Sequence, residues 1–165
     1  MPVVVADTGP LNYLVQIEAI DVLPKLFDTV IVPVAVHDEL THRGAPPAVR
    51  AWSASSPAWL EVKPNPTSAR DVTAPRPLEE GERAVIALAE DLRADLILMD
   101  DRDAVALARS RGFAVTGTLG VLDLSARRGL IDLVEAFTRL KATTFHYRQG
   151  LLDALLTRQQ DEKKE

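Results

Sequence analysis

The chain has 165 residues, 47% hydrophobic and 26% charged, with a formal net charge of −5, three histidines and no cysteine. These values describe one globular domain with one core. They exclude disulfides, thiolate catalysis and cysteine-ligated zinc, and leave carboxylate oxygen as the natural ligand of any metal, which suits Mg²⁺ or Mn²⁺.

No apolar run approaches the roughly 20 residues of a bilayer span, and the start lacks a signal-like pattern, so a cytoplasmic location is expected. The negative charge argues against gripping nucleic acid through the overall field, but permits a local basic surface beside an acidic pocket.

The first element is the run Val3-Val4-Val5, apolar without alternation, as in a parallel strand covered on both faces. It ends at Asp7-Thr8-Gly9-Pro10. Ligands bind at the carboxyl ends of such strands, which places Asp7 where chemistry happens; the competing use of Asp7 is as the cap of the next helix. Leu11, Leu14, Val15, Ile17 and Ile20, then Leu23, Leu26 and Phe27, predict one long or two short helices. Thr29 to Val32 form the second strand. Pro33 suits the first position of a helix running to Leu40. At about 100° per residue Glu39 flanks the face of Val36 and Leu40, while Asp38 points away.

Residues 45–77 hold seven of the 11 prolines and read as loop, with a short helix near Val49 to Ala54 and a short strand over Trp59 to Val62. A long connection inside a compact domain is often functional. Arg43, Arg50, Lys63, Arg70 and Arg76 are available to phosphates, and Trp52 and Trp59 either stack on bases or anchor the region to the core. The strongest helical pattern runs from Leu78 to about Arg93, and Glu82 projects from its apolar stripe, where a carboxylate must find a partner or a metal. Its other reading is an acid near a first turn, favoured by the helix dipole.

Ala94 to Met99 form the next buried strand, ending at Asp100-Asp101-Arg102-Asp103, with Asp103 a candidate cap for the helix Ala104 to Ser110. Phe113 to Thr116 make another strand. Thr116-Gly117-Thr118-Leu119-Gly120 then turns into a helix reaching about Arg128; such a start can seat a phosphate or simply be a capped turn. Two further amphipathic helices span Leu130 to Leu140 and Phe145 to Leu156, before a polar tail, 158–165, expected to fray.

In a doubly wound sheet, strand ends and helix starts share one edge. Asp7 and Asp100 or Asp101 end strands, while Glu39 and Glu82 lie in the first turns of returning helices, so the acids crowd one rim. Neighbouring carboxylates raise one another's pKa, and divalent ions remove that penalty. Metal-activated water is then the simplest nucleophile.

The segments Val4-Val5-Ala6-Asp7-Thr8-Gly9-Pro10-Leu11, Val32 to Leu40, Gly81-Glu82-Arg83-Ala84, Leu98 to Ala104 and Val115 to Gly120 together resemble PIN-domain proteins, particularly the stand-alone VapC-type toxin group. The resemblance implies a single three-layer α/β domain over 1–157, with a central parallel sheet of about four or five strands flanked by helices. It also implies Mg²⁺- or Mn²⁺-dependent endonucleolytic cleavage of RNA, a homodimer and an inhibitory protein antitoxin. The family's first three acids fall on Asp7, Glu39 and Glu82, the last on Asp101 or Asp100, with Asp101 in the favoured register. Thr8 matches the hydroxyl residue that orients the first acid or a water. Two rivals are a noncatalytic PIN-like protein- or RNA-binding module and a haloacid-dehalogenase-like phosphatase. The latter's second acid, two residues on, would be Gly9.

Overall fold

The computed structural model describes residues 2–164; Met1 and Glu165, the outer ends of the expected domain and tail, lie outside the described residues. Five strands form one parallel sheet: β1 (Val4–Ala6), β2 (Val30–Pro33), β3 (Leu60–Lys63), β4 (Leu96–Leu98) and β5 (Val115–Thr116). Their order is β3-β2-β1-β4-β5. In register, Val5 stands beside Ile31 on one side and Ile97 on the other.

Successive connections step outward from β1 to β2 and β3, then return across β1 to β4 and step outward again to β5. The direction reverses at the β1/β4 boundary, the position where open α/β sheets form their binding crevice. Asp7 directly follows β1 and Asp100 closely follows β4, so the two acids flank that crevice.

Val4, Val5 and Ala6 are wholly buried, as the lack of alternation predicts. Each valine contributes about 1.5–3 kcal/mol through burial. The helical pattern after Asp7 resolves into two short helices, α1 (Thr8–Gln16) and α2 (Val22–Phe27). Between them Glu18 has a positive φ of 61°, which breaks the helix. Pro10 lies in the first turn of α1, where its missing N–H leaves no helical bond unmade.

Helix α3 covers Val34–Thr41, and Pro33 closes β2 with an extended backbone instead of opening the helix. The proline-rich connection holds α4 (Pro47–Ala54), β3 and a 3-10 turn at Thr67–Asp71 that the residue pattern did not announce. Trp52 and Trp59 pack together, ring centroids 5.9 Å apart, half-buried against the core, which realises their anchoring role. Asn65 Oδ1 accepts the Ala35 N–H at 2.9 Å, tying this loop to the start of α3.

Helix α5 (Glu80–Leu92) packs on β1 and β2. It begins two residues later than the apolar stripe suggests, because Leu78 is buried ahead of the helix and Glu79 occupies the N-cap position. Helix α6 (Arg102–Ser110) is capped by Asp101, whose Oδ2 accepts the Ala104 N–H at 2.9 Å, so the cap is Asp101 and not Asp103. Helix α7 (Thr118–Arg127) starts before Gly120, and α8 (Leu133–Lys141) is capped by Asp132. Helix α9 (Gln149–Lys164) starts later than Phe145 and continues through the segment expected to fray. Arg158 pairs with Asp123 of α7, and Arg127 stands 3.9 Å from Glu162, giving that polar stretch partners. Among the described residues no helix is long and apolar enough to cross a membrane.

Candidate active site

Asp7 is the fixed point of the rim. It occupies the N-cap position of α1 with extended backbone, yet its side chain makes no capping hydrogen bond. It is 7% exposed and lies among wholly buried apolar residues at the end of β1. Burial pushes its carboxyl up to about 8, partly offset by the Thr8 N–H, and the charges of Glu82, Glu39 and Asp100 push the same way.

The other acids are held by donors of their own. Thr8 Oγ1 donates to Glu39 Oε2 at 2.8 Å, so this hydroxyl is set on the second acid, whereas the resemblance gives it the first acid or a water to orient. Burial raises the Glu39 pKa, opposed by that hydrogen bond and assisted by the charges of Glu79 and Glu80. Asp38, on the same helix, is exposed, as the helical period requires. Glu82 is 8% exposed and accepts the Glu79 N–H at 2.9 Å, so it caps its helix while sitting in the packed rim. Burial lifts it to about 7, and nearby Asp101 adds to the rise.

The doubled aspartate separates into two roles. Asp100 turns inward, accepting the Thr118 N–H at 2.7 Å on Oδ1 and the Thr118 hydroxyl at 2.6 Å on Oδ2. Burial raises its pKa against those two bonds. Asp101 is exposed, caps α6 and borders Glu82, but is not among the acids acting on Asp7. Of the pair, Asp100 is therefore the one whose charge acts on Asp7, and Asp101 the one that borders Glu82. The start of α7 serves Asp100 instead of a phosphate: its first N–H is taken.

Two glycines make this convergence possible. A Cβ on Gly81 would stand 2.3 Å from Glu39 Oε1 and 3.7 Å from Asp7 Oδ1, so both carboxylates bear on the start of α5. A Cβ on Gly117 would stand 2.6 Å from Asp100 Oδ1. Only a residue without a side chain admits these approaches. The residue pattern marks Gly117 and Thr118 only as part of a helix start and gives Gly81 no separate role. The signal was available in Thr116-Gly117-Thr118 following a strand at the same rim, but not the knowledge that its hydroxyl reaches back to Asp100.

None of Asp7, Glu39, Glu82, Asp100 and Asp101 is in a salt bridge among the described residues. Acids without a cation, two of them (Asp7 and Glu82) buried and all offering hard oxygen, form a donor set suited to Mg²⁺ or Mn²⁺. At the same time, among the described residues no three acidic or histidine side chains are set to hold one ion together. Glu39, Glu82 and Asp100 are each turned onto a protein donor. The scattered cations of the proline-rich connection are partly engaged elsewhere: Lys63 with Glu61 at 3.2 Å, and Arg76 with Asp103 at 3.9 Å.

The family model DUF3368, a PIN domain, matches residues 3–161. No curated protein matches the chain.

Proposed function

The chain belongs to the PIN-domain family, and from that premise we propose that it is a divalent-metal-dependent endoribonuclease acting as the toxin of a toxin-antitoxin pair. The observation that carries the nuclease reading is Asp7: a buried carboxylate that caps nothing, at the sheet's switch point, surrounded by three further acids with no cation among them. We assign Asp7, Glu39, Glu82 and Asp100 as the residues that would hold Mg²⁺ or Mn²⁺, with Asp101 at the outer edge. When bound, the ion lowers the pKa of a coordinated water and offsets charge developing on the phosphate.

The chain's own groups organise the rest. Thr8 sets the Glu39 carboxylate, and Thr118 fixes Asp100 through two hydrogen bonds. A hydrogen bond to an ionised carboxylate contributes about 1.5–3 kcal/mol, so Thr8 and the Glu79 N–H hold Glu39 and Glu82 in place beside Asp7. A homodimer and a protein antitoxin that fills the acidic groove belong to the same proposal.

Manganese titration by calorimetry on the wild type and Glu82→Gln, with cleavage of single-stranded and structured RNA in parallel, tests it. The expected result is metal-dependent cleavage, with Mn²⁺ affinity at least about tenfold weaker in the variant. No binding at millimolar Mn²⁺ and no cleavage would establish instead the noncatalytic PIN-like module.

Gly81→Ala separates stability from function. Alanine in place of a helical glycine stabilises by up to about 1 kcal/mol. Its methyl group would also strike Glu39 Oε1, a flexible side-chain end that yields and leaves Thr8. Thermal melting should show an unchanged or higher Tm, while RNA cleavage falls about tenfold through misplacement of one acid. A variant as active as the wild type would remove Glu39 from the assigned site.

A further inference from the structure

The rim is all acid, yet hydrolysis of a phosphodiester puts further negative charge on the nonbridging oxygens of the reacting phosphate. A groove of about 800 Å³ leaves the rim beside Asp100, its lining including Arg102, Arg109, Arg148 and the edge-to-face pair Tyr13 and Phe145, with centroids 5.0 Å apart. Arg76 is not part of that lining and reaches the rim by another route. It lies on the connection from β3 to α5, and α5 packs on β1 and β2.

Val72 and Leu78 are buried in the core, while Pro75, Arg76 and Pro77 between them are exposed. Proline fixes its own φ and confines the residue before it to extended conformations, so Pro75 and Pro77 stiffen the backbone on both sides of Arg76. The result is an arch with pinned feet and a stiff crown, bent at Pro75 and Arg76. The Arg76 side chain crosses the sheet's switch point: its Nη1 stands 3.9 Å from Asp103 Oδ2 in the first turn of α6, the helix that follows β4 and packs on β5. Asp103 comes two residues after Asp101, which borders Glu82, and the arch runs directly into Glu79 and Glu80, whose charges act on Glu39. The guanidinium is thereby set between the two helix starts that carry Glu82 and Asp101. It is 81% exposed there, and so loose a surface pair contributes little to stability and exchanges readily for a stronger anion. A phosphate is such an anion, because the planar fork of arginine bonds two of its oxygens at once.

We propose that Arg76 is a catalytic residue of the acid rim: it leaves Asp103 and takes the nonbridging oxygens of the scissile phosphodiester as negative charge develops on them. The assignment rests on the nuclease reading of the rim. In the step it serves, a water oxygen bonds to phosphorus and the P–O bond to the leaving sugar oxygen breaks. One water proton ends on that leaving oxygen and the hydroxyl stays on phosphorus. Arg76 keeps its own protons throughout, since a guanidinium does not deprotonate in a protein, and acts by charge and hydrogen bonding alone.

The test is steady-state cleavage of a labelled single-stranded RNA in Mn²⁺ by the wild type, Arg76→Ala, Arg76→Lys and Asp103→Asn. Arg76→Ala should lower kcat about 100-fold, as expected for one lost donor to the developing charge, with KM changed less than about threefold. Arg76→Lys restores the charge without the fork and should recover about tenfold of that loss. Asp103→Asn breaks the same ion pair but frees the guanidinium, so its kcat should stay within about threefold of the wild type. Calorimetry should give Arg76→Ala the Mn²⁺ affinity of the wild type, and its melting temperature should not move, since this exposed side chain holds neither the ion nor the core. Equal losses in Arg76→Ala and Asp103→Asn would make the pair a structural strap and overturn the proposal, as would a weaker Mn²⁺ affinity in Arg76→Ala that accounts for its loss. Cleavage by Arg76→Ala at the wild-type rate overturns the Arg76 assignment and leaves the nuclease; no cleavage by the wild type overturns both.

Discussion

Asp7→Asn is expected to reduce metal-dependent RNA cleavage by at least about 1,000-fold, equivalent to about 4 kcal/mol of transition-state stabilisation, while making the metal-free protein more stable at alkaline pH. Both effects have one cause. The Asp7 carboxyl is raised from 3.8 to about 8 in the folded chain, so the folded state holds a proton there that the unfolded state releases near pH 4. A raised pKa contributes stability below the unfolded value and loses it as pH climbs through the folded value. Metal-free wild type should therefore weaken between about pH 4 and 8. Asparagine resembles the protonated acid and does not titrate. The two proteins should match in stability near pH 4, and the variant should lead by up to about 5 kcal/mol at pH 8, the full value of a shift from 3.8 to about 8 at about 1.4 kcal/mol per unit. Chemical denaturation with EDTA across that range measures the difference. A variant less stable than wild type at pH 8, or one that still cleaves, would remove Asp7 from the centre of the site.

The second large effect separates the paired aspartates. Asp100→Asn is expected to abolish at least about 99% of cleavage, because it removes the inward charge beside Asp7 while leaving an amide that can still face Thr118. Asp101→Asn should retain activity within about tenfold of wild type, since asparagine is as good a helix cap as aspartate and the Ala104 N–H remains satisfied. Neither substitution should change the melting temperature by more than a few degrees, which circular dichroism would verify. An equal loss in the two variants would mean that both acids serve the ion. A larger loss for Asp101→Asn would restore the register that the motif suggests.

The acids differ in how openly the chain advertises them. Asp7 stands out because a β-branched run ends on it, and Glu82 because a charge interrupts an apolar stripe; both are local signals, and both residues are buried at the rim. Glu39 follows from helical period alone, and its half-buried position agrees with that period. Asp100 and Asp101 are not separable by any local rule, since each follows the same strand and each can cap the same helix. Their roles divide because Thr118, 18 residues further on, arrives beside Asp100. Thr8 shows the same limit: the resemblance gives its hydroxyl the first acid or a water to orient, whereas the fold sets it on Glu39, 31 residues away.

The parallel α/β architecture and the gathering of acids on one edge are legible in the residue pattern, because strand burial, helical period and crossover direction are repeated local rules that agree with one another. Long-range packing sets the rest: Asp7 makes no capping bond, Asp100 faces inward and Asp101 outward, and Tyr13, Phe145 and three arginines share one groove with the acid rim. Those outcomes depend on single contacts between residues far apart in the chain, such as Thr118 with Asp100 or Tyr13 with Phe145. No periodicity encodes which of two adjacent side chains will meet a donor from another element.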